Sequence, residues 1–129
     1  MYKELVISIV VIALIIVGNI ITQNNTIKSV NAISKELTEL REEISKQYVN
    51  QEEAKQKMER IEKAWEEKNE TMAYYIEHDE LEKVQTELTK LRADIDMKEY
   101  KMGVENLDNC IFILEHIKDK SALKIVNIF

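Results

Sequence analysis

Apolar residues fall into two kinds of pattern along the chain. Residues 5–22 read LVISIVVIALIIVGNIIT, a run without formal charge in which only Ser8, Asn19 and Thr22 are clearly polar. A helix of that length spans about 27 Å at about 1.5 Å per residue, close to the thickness of a bilayer's hydrocarbon core. Beyond the run the apolar positions become periodic. Ile27, Val30, Ile33, Leu37, Leu40, Ile44 and Tyr48 return every three or four residues and form one stripe on a helix. A second stripe comprises Ala54, Met58, Ile61, Trp65, Met72, Tyr75 and Ile76, and a third Leu81, Val84, Leu88, Leu91 and Ile95. Tyr100, Val104, Leu107, Ile111 and Leu114 make the fourth.

Each interruption carries a helix-start signal. Asn50, Asp79 and Asp96 each precede a glutamate by three residues (Glu53, Glu82 and Glu99), which is the spacing of a capping box. The step of five from Ile76 to Leu81 breaks the phase of a straight helix, so the chain is expected to reverse near residue 78. Short connections make successive helices antiparallel. The expected fold is all-α: an N-terminal transmembrane helix leading into an antiparallel up-down four-helix bundle. Its parts are an anchor over 1–26, a bundle over 27–120 with the fourth helix ending near Lys118, and an apolar tail over 121–129. "QNNTIK" is a weak stop, so the first helix runs on from the span.

Composition supports helix and narrows the function. Among 129 residues there is no proline, and the two glycines are Gly18 and Gly103. A third of the chain is charged, as amphipathic helices with wet outer faces require. The net charge of -6 argues against a nucleic-acid partner, which calls for clustered Lys and Arg. The single cysteine, Cys110, cannot form an internal disulfide and reads as a packing residue. Glycine-rich phosphate loops, nucleophile elbows and paired-cysteine zinc motifs are missing from the sequence. No enzyme activity, catalytic residue, metal ligand or cofactor is therefore expected. The matches to a glycosylation acceptor at Asn24 and Asn69 read as chance.

A cleaved signal peptide competes with the anchor, but the apolar run is long and no small-x-small pair precedes TQNN. Counting Lys3 against Lys28, Lys35 and Arg41 would place the bundle inside. A span so close to the N-terminus instead suits a signal anchor, which gives a single-pass membrane protein with its soluble domain extracytoplasmic.

Both histidines follow a glutamate: His78 in YYIEHDELEKV and His116 in ILEHIKDK. In an antiparallel bundle the start of helix three and the end of helix four lie together, at the end nearest the membrane. Glu77, His78, Asp79 and Glu80 then share a corner with Glu115 and His116. Such a corner suits a proton-responsive or metal-responsive sensor. Plain helix-end electrostatics, with acids at a helix start and lysines at a helix end, suits it better. The di-iron spacing fails, because Tyr75 and Ile113 stand where acids are needed. Trp65, Tyr74 and Tyr75 read as core. Cys110, Phe112, Ile113 and Ile117 widen the apolar surface of helix four, which either makes it the most buried helix or gives it a partner or homo-oligomer face.

The segments KELVISIVVIALIIVGNIITQN, AWEEKNETMAYYIEHDELEKV and the closing NIF resemble a bacterial family, domain-of-unknown-function family 4363. The resemblance implies a small membrane-anchored protein of Gram-positive, often spore-forming, bacteria. It also implies a second integral-membrane protein as partner. It singles out Trp65, Glu77, His78, Asp79, Glu80 and the tail Asn127, Ile128 and Phe129. The expected role is an accessory or interaction module whose contact surface is the membrane-proximal end; the alternative is the sensor.

Overall fold

The computed structural model describes residues 1–74 and 76–128. The described residues form four helices: α1 (Tyr2–Ile44), α2 (Gln51–Met72), α3 (His78–Asp96) and α4 (Tyr100–Ile128). Each helix packs on its neighbours in sequence, and α4 closes the bundle against α1. The expected four-helix bundle is therefore the observed fold. α1 passes from the apolar run into the bundle without a break.

Apart from Glu43, the buried positions in α1 are Gln23, Thr26, Val30, Ile33, Leu37, Leu40 and Ile44, alternating steps of three and four. That spacing averages 3.5 residues, the repeat that keeps one seam on its neighbours. The seam begins with Gln23 and Thr26, whereas Ile27, where the apolar stripe starts, is only half-buried. Its first layer is polar, made by Gln23 and Thr26 of α1 with Ser121 of α4, all buried. Thr26 Oγ1 donates to the Thr22 carbonyl at 3.2 Å, and Gln23 Nε2 donates to Asn19 Oδ1 at 3.2 Å. Tyr48 leaves the stripe and is exposed in the first turn.

The third stripe is buried in full, and so is the second as far as it is described; Tyr75 lies outside the described residues. Trp65 is in the core, whereas Tyr74 stands in solvent, contrary to expectation, because the chain has already left α2. In α4 the core row is Gly103, Leu107, Cys110, Leu114, Ile117 and Ser121. Tyr100, Val104 and Ile111 are only half-buried, and Phe112 is exposed. A Cβ on Gly103 would lie 3.5 Å from Ile44 Cδ1 and 3.6 Å from Leu91 Cδ1, ordinary contact distances. Gly103→Ala is thus expected to stabilise the bundle by about 0.5–1 kcal/mol, through helix propensity, in urea denaturation.

Of the three capping signals, one marks a helix start, and it makes only the N-cap bond, because the Asn50 N–H goes to Glu43 and not to Glu53. Asn50 accepts from the Glu53 N–H at 3.2 Å and starts α2. α3 starts at His78 behind Glu77, two residues ahead of the start that Asp79 as cap would give, with no side-chain cap. Asp96 is the last residue of α3 rather than the cap of α4. A turn through Lys98, in the left-handed region at φ 59°, joins these two helices. That conformation costs an L-residue about 1–2 kcal/mol. Gln51 Nε2 offsets some of this by donating to the carbonyls of Ile95 (3.2 Å) and Asp96 (3.3 Å), binding the end of α3 to the start of α2.

The α1–α2 turn is held by a buried acid. Glu43 Oε1 accepts from the Asn50 N–H at 3.1 Å, and Lys46 Nζ reaches Oε2 at 2.6 Å. The Lys46 hydrogen bond, helped by the Asn50 N–H and opposed by burial, holds the Glu43 carboxyl below its usual range. A carboxyl lowered on folding adds stability above its unfolded pKa and loses it as pH falls through the folded value. Glu43→Ala is therefore expected to cost about 1–3 kcal/mol at pH 7, where it orphans the Asn50 N–H. Denaturation at pH 7 and pH 3 should show this deficit shrinking in acid.

Candidate functional site

The candidate corner is built by the first turn of α3 and the last third of α4. α3 is preceded by Glu77, whose carbonyl accepts from the N–H groups of Glu80 (3.1 Å) and Leu81 (3.3 Å). Glu77, His78 and Asp79 stay exposed beside the positive end of the helix dipole, while Glu80 turns inward and is 8% exposed. Across the gap, α4 supplies the cation that this acid needs. Lys120 Nζ donates to Glu80 Oε1 at 2.7 Å, and His116 Nε2 lies 3.6 Å from the same oxygen. The Glu80 carboxylate holds the Lys120 ammonium above its ordinary range, chiefly through that hydrogen bond. A buried carboxylate paired in this way ties α3 to α4; breaking it would leave a charge poorly solvated.

The expected meeting of the two ends is thus observed, but the two imidazoles do not share a partner. His78 Nε2 contacts Glu82 Oε1 of its own helix at 2.8 Å, and both side chains are exposed. Glu115 pairs with Lys118 on α4 at 3.3 Å. Among the described residues no three His, Cys, Asp or Glu side chains gather as a metal site. Sequence reasoning missed Lys120 and Glu82. Both lie four residues from a histidine and so on the same helix face, the signal that would have found them.

Cys110 is buried in the seam, and desolvation pushes its thiol up to about 12. At neutral pH it is a packing group without nucleophilic character. The tail departs from expectation: α4 does not end near Lys118 but continues to Ile128, with Ser121 buried against the bundle. Helix continues because its inner face still has α1 to pack on. Phe129 lies outside the described residues, as do the side chains of Asn127 and Ile128.

The comparisons with known proteins bear on the bundle and not on the whole span. No curated protein and no solved structure matches the chain. A match to one family covers residues 20–128, so it takes in all four packed segments and leaves most of the apolar run ahead of it. By that match the chain belongs to the family described as domain of unknown function (DUF4363).

Proposed function

We propose that this is a bacterial membrane-anchored accessory module, without enzymatic activity, that binds an integral-membrane protein through the membrane-proximal end of its bundle. In this reading residues 5–22 form a single-pass signal anchor and the bundle stands on the extracytoplasmic face. One observation carries it. The corner of Glu77, His78, Asp79, Glu80 and His116 lies at the end of the bundle where the apolar run emerges, within reach of anything beside the span. Its exposed charged groups border the exposed Tyr74, the mixture of aromatic and polar contacts common in protein interfaces.

Photo-crosslinking amino acids at Asp79 and at Met97, which is exposed at the opposite end, test it in intact membranes. The expected result is one integral-membrane partner, identified by mass spectrometry, captured from Asp79 and not from Met97. Equal capture at both ends, or crosslinks to lipid alone, would reject the reading.

The alternative sensor rests on His116 facing Glu80 across two helices, with Lys120 on the same oxygen. It requires a melting temperature that changes between pH 5 and 8 or with divalent ions, and that stops changing in His116→Ala. A flat wild-type profile removes it.

A further inference from the structure

We propose that the bundle also rests on the lipid surface directly, through exposed apolar side chains of three elements that reach the level where the span ends. This rests on reading α1 as a membrane span. The stagger of α4 against α1 follows from two contacts. Arg41 pairs with Asp108, Nε to Oδ1 at 2.8 Å, and Gly103 lies against Ile44. Eighteen residues on from Asp108 is Val126, and eighteen back from Arg41 is Gln23. Twenty-three on from Gly103 is again Val126, and twenty-three back from Ile44 is Ile21. Val126 is therefore level with the last residues of the apolar run, with Leu123 about one turn farther from the lipid.

α2 arrives at the same level. Lys68 and Thr71 share a groove with Asn25, Lys28, Ser29 and Ala32 of α1, so Tyr74, three residues past Thr71, lies beside the run's end. At this level Ile21 is 54% exposed, Tyr74 90%, Leu123 59% and Val126 66%. Along α4 the inner positions Ile117 and Ser121 are buried, so the exposed face is the outer one. Ile16, Asn19 and Ile20 are half-buried, whereas residues 1–15 are exposed, as expected if cover for α1 ends with α4.

The chemistry of this rim is that of a bilayer boundary. Tyrosine favours the headgroup level, with its ring toward the chains and its hydroxyl toward water. Lys28 and Lys124 are exposed nearby, with stems long enough to bring their amines to lipid phosphates. The acids of the corner sit higher. Glu80 is bound to Lys120, six residues before Val126, which sets the first turn of α3 about 9 Å farther out. A span that crosses the membrane leaves its flank at Ile21–Gln23 in the headgroup region, and whatever stands level with that flank meets the same lipid.

Spin labels on single introduced cysteines in the full chain test this. The positions are Tyr74→Cys, Leu123→Cys and Val126→Cys, with Ile12→Cys as a marker for the span and Met102→Cys for the distal end. The protein is reconstituted in phosphatidylcholine–phosphatidylglycerol vesicles. Cys110 is buried and stays unlabelled. Collision with oxygen, which enters lipid, is compared with collision with a nickel chelate, which stays in water. We expect residue 12 deep in lipid, residue 102 in water, and 74, 123 and 126 with oxygen-to-nickel ratios several-fold above that of 102. A lipid-exposed residue 12 with ratios at 74, 123 and 126 equal to that at 102 would overturn the proposal alone. Shielding of those three from both reagents would overturn it in favour of a second copy of the chain. A residue 12 in water would overturn the span reading and this inference together.

Discussion

Trp65→Ala is expected to destabilise the bundle by about 3–5 kcal/mol, the range for removing a large buried aromatic. The indole belongs to the continuous core and joins α2 to α3 through Nε1, which donates to Gln85 Oε1 at 2.9 Å. α2–α3 is the least extensive of the four helix interfaces, so there is little else to take over the lost contacts. A domain of this size has about 5–15 kcal/mol in hand, and the variant should melt early or remain partly open. Trp65→Phe separates packing from the polar link. Gln85 is exposed and can turn to water, so loss of the hydrogen bond alone should cost about 1 kcal/mol. Urea denaturation followed by circular dichroism measures both. A cost below about 1 kcal/mol for Trp65→Ala would mean that α2 and α3 are not held together at this point.

The second large effect concerns location. Removing residues 1–20 is expected to move the chain from the membrane fraction to the soluble one while leaving its thermal melting nearly unchanged. The two halves of that expectation come from one helix. Residues 1–15 are exposed and the fully buried positions of α1 start at Gln23, so the cut takes from the bundle no more than the half-buried Ile16, Asn19 and Ile20 and the Asn19–Gln23 hydrogen bond. Eighteen uncharged residues dominate any affinity for lipid, whereas Tyr74, Leu123 and Val126 offer only a shallow contact. Fractionation and calorimetry of the truncated chain check the two halves separately. Quantitative retention in the membrane fraction would point to a partner strong enough to hold the bundle unaided. Loss of cooperative melting would mean that the core extends into the span.

Much of this architecture is legible in the pattern of apolar residues. The third stripe, Leu81 to Ile95, is buried at every position, because a helix with one apolar face has one way to be covered. Helix four is harder. Its apolar residues surround the axis near Cys110, so counting them does not pick a face, and the buried row runs through Gly103, Cys110 and Ser121, which a stripe drawn through Val104 and Ile111 passes by. Two of the three capping signals fail for a similar reason. In a chain rich in acids, Asp followed three residues later by Glu recurs without marking a helix start. Glu43 and Glu80 could not be read as buried at all, since their burial depends on Lys46, Asn50 and Lys120 arriving from turns or from another helix. The corner itself was legible as a place, from antiparallel topology. Its pairings were not, because they follow from side-chain reach across a fixed gap.

The unbroken passage of α1 from the apolar run into the bundle has a mechanical consequence. With no hinge, Gln23 to Ile44 form a lever arm of about 33 Å that is the direct continuation of the apolar run. Spanning helices lean by about 20° on average, by an amount that follows hydrocarbon thickness. A lean of that size swings the far turns, around Tyr48 and Lys98, sideways by about 11 Å. With residues 5–22 as the proposed span, a thinning bilayer thus becomes a displacement at the tip.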